Sequence, residues 1–424
     1  MIKRASLPVT SDTVPPEIDR FSWRPIRSTT SDDGAPSRPE PVAFTGDRGD
    51  FFRLVSRGAA LELVTLGFYR FWLATDMRRH LWSHTVIGGH AAEYIGTGRE
   101  LLIGFLFALA ILAPVYLLYF LAGIELERAK AFGSVPLVLF FYAFGQFAIF
   151  RARRYRLTRT VWRGVRFWMT GSGTSYAFRA ILWAVPVILT LGLLLPWREA
   201  ALERYKMRNS YYGDLQGRFE GRGWDFFKRG WYLWAIGMAF LVVSGLTPVL
   251  IKQNKAMGLV PFIMVMFVPS LVAGFKATEW RWWLSGIRFG DVRVESSLGR
   301  GTLTGLYWKV IGWLLLLGLL LGLYLWGCSY AVAKLGGVPI QKLLVSGISS
   351  GSVAFIALTA VGYLVYLLAM NVVLRMNLLR DLWQRVIDSV QLHNLAAADN
   401  VTGVGTAASA LGEGLADGLD VAGF

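Results

Sequence analysis

The chain has 424 residues, of which 54% are hydrophobic and only 17% charged, with a mean hydropathy of +0.45. Soluble domains carry about 25% charge, so the balance favours a membrane solvent; the lone Cys328 excludes an intramolecular disulfide. The net charge of +16 does not point to nucleic acid, because the 44 Lys and Arg cluster between apolar segments rather than along one polar face.

Residues 1–43 are rich in Ser, Thr, Pro, Asp and Arg and have no apolar core after Lys3-Arg4, so they read as a disordered cytoplasmic tail rather than a signal peptide. A helix needs roughly 20 apolar residues to cross the hydrocarbon. Six segments meet this, at about 100–122, 133–150, 230–251, 257–275, 303–330 and 346–373. They pair through short links near 123–132, 252–256 and 331–345. Two further stretches, 54–73 and 176–197, are interrupted by Arg57 and Glu62 and by Arg179, Pro186 and Pro196, and either span or dip into one leaflet and return.

An internal repeat underlies this order. Before five of the apolar segments stand FTGDRG, YIGTG, MTGSG, FEGRG and LGRG, whose first glycines fall at 46, 96, 171, 221 and 299. The alternating short and long intervals imply a unit of about 125 residues, duplicated once and then partly repeated. VTLGFYRFW (64–72) also matches LTLGLLLPW (189–197). A hydroxyl precedes the glycine pair in three copies (Thr85, Thr160, Ser210), preceded in turn by Arg79, Arg154 and Arg204 and by Trp72, Phe147 and Trp197. The fourth copy keeps Ser285 and Gly299 at a looser spacing, with Glu279 in place of the arginine. Each unit therefore reads as a helix end, an arginine at its mouth and a short extended turn in which Gly88, Gly164 or Gly213 supplies positive φ. These turns act as hinges and headgroup anchors; a phosphate at the following helix N-terminus is the sharper alternative.

The predicted fold is an all-α integral membrane bundle of three transmembrane hairpins plus two membrane-dipping or spanning helices, six to eight spans in all, with short cytoplasmic β-turn elements. Its parts are the tail 1–43, membrane repeats 44–168 and 169–296, a partial third repeat 297–390 with the last transmembrane pair, and a Gly/Ala-rich cytoplasmic C-terminal tail 391–424. With two dipping segments, 35 Lys and Arg face one side against 6 on the other; with two further spans the split falls to 26 against 15. The positive-inside rule favours the former, with both termini cytoplasmic.

No phosphate loop, zinc helix or nucleophile elbow is present, so an enzyme ranks last, and the pattern calls for neither cofactor nor metal. His80 and His84 share a helix face with His90 and Glu93 downstream, but they lie among Arg78, Arg79 and Trp82, as interfacial polar residues do. Glu62 is costly in an apolar segment and needs a partner, for which Arg57 and Arg179 are available, or else water or a proton. The candidate binding groups are thus Glu62, Arg79, Arg154, Arg204, Trp72 and Trp197. The basic aromatic run with Arg151, Arg153, Arg154, Arg156, Arg159, Arg163 and Arg166 is suited to anionic lipid headgroups of the bilayer.

VTLGFYRFWLATDMRRHLWSHT (64–85), EYIGTGRELLIGF (93–105), RARRYRLTRTVWRGVRF (151–167) and GEGLADGLD (412–420) resemble the YjgN family, a domain of unknown function. The resemblance implies a multi-pass bacterial inner-membrane protein and brings no catalytic residue. The expected function is the movement or sensing of a small solute or lipid; the alternative is a non-catalytic scaffold organising envelope proteins or lipids.

Overall fold

The computed structural model describes residues 39–125, 130–253, 258–336 and 353–405. Most of the expected tail, the centres of the three links, residues 346–352 and the GEGLADGLD stretch lie outside them.

Helices dominate, in the order α1 (Arg48–Val64), α2 (Arg70–Ser83), α3 (Gly98–Glu125), α4 (Lys130–Thr158), α5 (Gly173–Leu189), α6 (Leu195–Arg208), α7 (Gly223–Gln253), α8 (Leu259–Ser285), α9 (Thr304–Gly336) and α10 (Val353–Leu374). A π-helical stretch, Arg375–Asp381, leads from α10 into α11 (Leu382–Ile387). Among the described residues five helices are long and apolar enough to cross a membrane: Gly98–Leu121, Gly223–Val249, Leu259–Ser285, Thr304–Lys334 and Phe355–Ile387. The expected segment 133–150 lies within α4, whose apolar run ends at Arg151.

Neither 54–73 nor 176–197 is a single helix. Each is two helices joined by the same turn. In the first, Leu66 and Gly67 have φ of 50° and 89°; in the second, Leu191 and Gly192 have φ of 50° and 88°. Thr65 Oγ1 donates to the Leu61 carbonyl at 2.7 Å and Thr190 Oγ1 to the Pro186 carbonyl at 2.7 Å, and each hydroxyl then accepts the backbone N–H four residues on. The Thr-Leu-Gly triplets shared by the two stretches therefore encode a helix stop and a reversal.

The connectors depart from expectation. Instead of isolated β-turn elements they supply ten short strands: β1 (Glu40–Phe44), β2 (Thr85–Ile87), β3 (His90–Tyr94), β4 (Thr160–Trp162), β5 (Val165–Met169), β6 (Ser210–Tyr212), β7 (Leu215–Phe219), β8 (Ile287–Phe289), β9 (Val292–Ser296) and β10 (Val390–His393). These form one closed antiparallel barrel in the order β1-β10-β9-β8-β7-β6-β5-β4-β3-β2. A bundle that is helical apart from its turns is thus corrected to helices standing on a strand ring. Residues 40–43 and 391–393, assigned to the tails on composition, belong to β1 and β10. They pair with each other (Glu40 with Leu392, Pro41 with Gln391) and close the ring.

The four hairpin turns start at Gly88, Arg163, Gly213 and Gly290, with φ of 53°, 49°, 53° and 54°. A positive φ at the first turn residue matches the twist of a two-residue hairpin. Because neighbours are antiparallel throughout, all hairpin turns lie on one rim and all helix junctions on the other. Every helical excursion therefore leaves from and returns to the same rim. The ring is filled by its own side chains, among them Val42, Trp162, Tyr212, Val292 and Leu392. A 3-10 turn after β10, Leu395–Ala398, adds Leu395 and Ala398 to that core.

Candidate functional site

The repeated hydroxyls end helices and begin strands. Thr85, Thr160 and Ser210 donate to the carbonyls of Leu81, Arg156 and Lys206, at 2.8, 2.9 and 2.8 Å. Each satisfies an orphan acceptor of its own helix end. Indoles tie neighbouring units together: Trp383 Nε1 donates to Thr85 Oγ1 at 3.0 Å, and Trp82 Nε1 to Thr160 Oγ1 at 3.0 Å. Trp82 also stacks on Trp383, with ring centres 4.9 Å apart.

These contacts frame a chamber between the strand ring and the helix ends, with a volume of about 440 Å³. Trp82, Trp162, Trp280, Trp283, Trp383 and Phe167 supply aromatic walls, with leucine, isoleucine, valine and methionine between them. Among the described residues the lining charges are Arg153 and Arg156 on α4, and no Asp or Glu joins them. A largely apolar cavity of this size with a few polar groups is the usual form of a small-molecule site.

Behind Arg153 lies an ion cluster. Arg153 Nη1 meets Glu203 Oε2 at 3.0 Å, Lys206 pairs with Glu203 Oε1, and Trp283 Nε1 donates to Glu203 Oε2 at 3.0 Å. Burial alone would raise the Glu203 pKa, but Lys206, Arg153 and these hydrogen bonds outweigh it and hold the carboxyl at about 2. Glu203 is therefore ionised, and Arg153, Lys206 and Glu203 together carry one excess positive charge at the chamber wall.

None of Glu62, Arg79, Arg154, Arg204, Trp72 and Trp197 lines the chamber. Glu62 pairs with Arg375 at 2.8 Å rather than with Arg57 or Arg179. Arg79 Nη2 donates to the Gly96 carbonyl at 2.8 Å, and Arg380 Nη2 does the same to Gly46 at 2.7 Å, so each fastens the first glycine of a hinge. Arg204 is exposed and bonds the Ala200 carbonyl at 3.0 Å; Arg154 is half-buried on α4. Trp72 and Trp197 pack against Gly98 and Gly223. A second, more open groove of about 750 Å³ runs between α1, α2 and β3 and holds Arg53, Arg57, Arg79 and His80.

Within the basic run, Arg153 is committed to Glu203, Arg159 to Glu100 at 2.9 Å and Arg163 to Asp399. Arg151 lies over the Phe147 ring, Arg156 lines the chamber and Arg166 sits in β5. His80 and His84 have ring centres 4.3 Å apart, but His84 Nδ1 engages the His80 carbonyl at 2.7 Å. Among the described residues no three His, Cys, Asp or Glu gather as a metal site.

Sequence reasoning missed Trp82, Trp283, Trp383 and Glu203. The repeat held part of the signal: Trp82, Leu157 and Met207 each stand three residues before a repeated hydroxyl, and all three line the chamber.

Among the described residues, fold and chamber define a mostly helical protein with five helices suited to a membrane and a largely apolar pocket. A family model described as "Bacterial protein of unknown function (DUF898)" matches residues 39–418. The chain belongs to this family, the YjgN family. Neither a curated protein nor a solved structure matches it.

Proposed function

We propose that the chain is a multi-pass protein of the bacterial inner membrane that moves or senses a small, mainly apolar solute or lipid held in the central chamber. The observation carrying this reading is the chamber itself: five indoles and a set of aliphatic side chains, drawn from helices and strands far apart in sequence, around about 440 Å³.

The arrangement follows from the ring. Excursions that leave and return to one rim supply crossings in pairs, α3–α4, α7–α8 and α9–α10, which favours six spans over eight. The hairpins α1–α2 and α5–α6 dip into one leaflet. Helix α1 has 17 residues, so it rises about 25 Å, short of the roughly 30 Å of hydrocarbon. The hairpin tips expose Leu66 and Leu191 at 90% and 67%, which water would penalise and lipid would not. The ring then lies on the basic, cytoplasmic side, with both termini there. Its recurring helix–hinge–strand pattern supports two repeats, 44–168 and 169–296, and a partial third over 297–390. Outward-facing Arg79 and Arg204 meet anionic headgroups.

The test is native mass spectrometry of the full chain released from a mild detergent, beside a chamber-filling variant, Leu157→Trp, of unchanged melting temperature. A retained small molecule lost in the variant supports the reading. An empty wild-type chamber, with no uptake or growth phenotype on deletion, favours a scaffold.

A further inference from the structure

We infer that the groove between α1, α2 and β3 binds the headgroup of an anionic phospholipid, its phosphate against Arg53 and Arg57 and its acyl chains along the α1–α2 hairpin. This rests on the placement of that hairpin in one leaflet and does not depend on what the chamber holds.

The repeat supplies a comparison within the chain. Thr65, Leu66, Gly67 and Trp72 correspond to Thr190, Leu191, Gly192 and Trp197 at a constant offset, and on that register Arg53 and Arg57 correspond to Phe178 and Leu182. Phe178 and Leu182 are exposed at 61% and 56%, so in a hairpin that dips into lipid they meet acyl chains. Arg53 and Arg57 are exposed as well, and one turn apart they share a helix face. The first unit therefore turns two guanidinium groups where its twin turns hydrocarbon to the bilayer.

Their depth suits a headgroup. At about 1.5 Å per residue, Arg57 sits about 14 Å back along the chain from the tip at Leu66, close to half of the roughly 30 Å of hydrocarbon. Arg57 then lies at phosphate level, with Arg53 one turn further towards the ring, and exposed Val64, Leu66 and Phe68 are left to the chains. The groove beside them, about 750 Å³, also offers Tyr69, Arg79 and Ser83. Guanidinium groups bind phosphate oxygens through paired N–H donors. The ion pairs already present, Arg53 with Asp50 at 3.1 Å and Arg79 with Asp76 at 3.7 Å, are exposed and so exchange readily for a phosphate. Among the described residues the lining carboxylates, Asp76 and Glu93, belong to α2 and β3 rather than to the α1 wall.

The experiment titrates phosphatidylglycerol, diacylglycerol with the same chains and glycerol phosphate into the purified full chain in a non-ionic detergent, with bound molecules counted by native mass spectrometry. The expected result is phosphatidylglycerol binding about tenfold tighter than either of the others. Arg53→Gln combined with Arg57→Gln loses that preference at an unchanged melting temperature, and Arg57→Lys keeps most of it. A charge-matched pair on exposed strand positions, Arg218→Gln with Arg293→Gln, leaves it intact. Equal binding of phosphatidylglycerol and diacylglycerol, or a preference surviving in the Arg53 and Arg57 double variant, overturns the inference. Glycerol phosphate bound as tightly as the lipid overturns it too and assigns a soluble phosphate ester. Failure of the hairpin placement itself shows separately, as protease cleavage within 60–70 of the wild-type chain in vesicles.

Discussion

Gly98 lies against Trp72: a Cβ placed on Gly98 would stand 2.8 Å from the Trp72 Cα. The same contact recurs at the same sequence separation, between Gly223 and the Cα of Trp197 at 2.9 Å and between Gly173 and the Phe147 ring at 2.8 Å. In these three Gly-x-Gly pairs the second glycine is thus where a new helix starts across the preceding helix, whereas Gly301 has no such neighbour and its helix begins only at Thr304. The aromatic partner in the three is the residue that repeats upstream.

Gly98→Ala and Gly223→Ala should therefore each cost about 1–3 kcal/mol, since the obstructing atom is backbone and cannot swing away. Gly237, within α7, has nothing near its would-be Cβ, so Gly237→Ala should cost nothing. Melting temperatures in detergent distinguish the three.

These local features were readable in the sequence because each is satisfied within a few turns of chain. The hydroxyl caps its own helix, the Thr-Leu-Gly triplet reverses the chain, and the glycine yields to a nearby aromatic. The barrel was not readable. Strands of three residues such as Thr85–Ile87 are too short to show alternation, and the ring closes only when β1 meets β10 from the far end of the chain. The same distance hid Arg375 as the partner of Glu62 and Trp283 as the partner of Glu203. Composition drew the tail boundaries inside β1 and β10, because polar edge residues there look like linker.

Glu203→Gln should destabilise the protein by about 3–5 kcal/mol, because Arg153 and Lys206 lose a buried counter-charge. The pH dependence has a definite sign. The Glu203 carboxyl is held at about 2, below its unfolded value of about 4.3. Its contribution is present above that unfolded value and is lost as pH falls towards 2. Thermal melts from pH 7 down to pH 3 should show a decline in the wild type that is shallower in Glu203→Gln, where Glu100, also ion-paired in the folded chain, still contributes.

Glu62 and Arg375 should be energetically coupled. Their side chains are 23% and 18% exposed, so a double-mutant cycle with Glu62→Gln and Arg375→Gln should return about 0.5–3 kcal/mol. If Glu62 instead serves a moving proton, Glu62→Gln would abolish uptake without lowering stability.

Leu66→Lys and Leu191→Lys should each weaken the hold of a hairpin tip on the bilayer. The expected readout is greater protease sensitivity of 60–70 or 186–196 in native membranes, with the rest of the chain unaffected. Unchanged protection would place these tips against protein rather than lipid.

The central claim is that all the strand pairs share one compartment. It is tested most directly by labelling single cysteines in a Cys328→Ser background with a membrane-impermeant maleimide on intact spheroplasts. His90, Asp214 and Asp291 are exposed on three different hairpins, and Lys252 is exposed at the far end of α7. The prediction is that Lys252→Cys reacts from outside while His90→Cys, Asp214→Cys and Asp291→Cys react only after the membrane is opened. External labelling of any one hairpin with the others protected would contradict the ring.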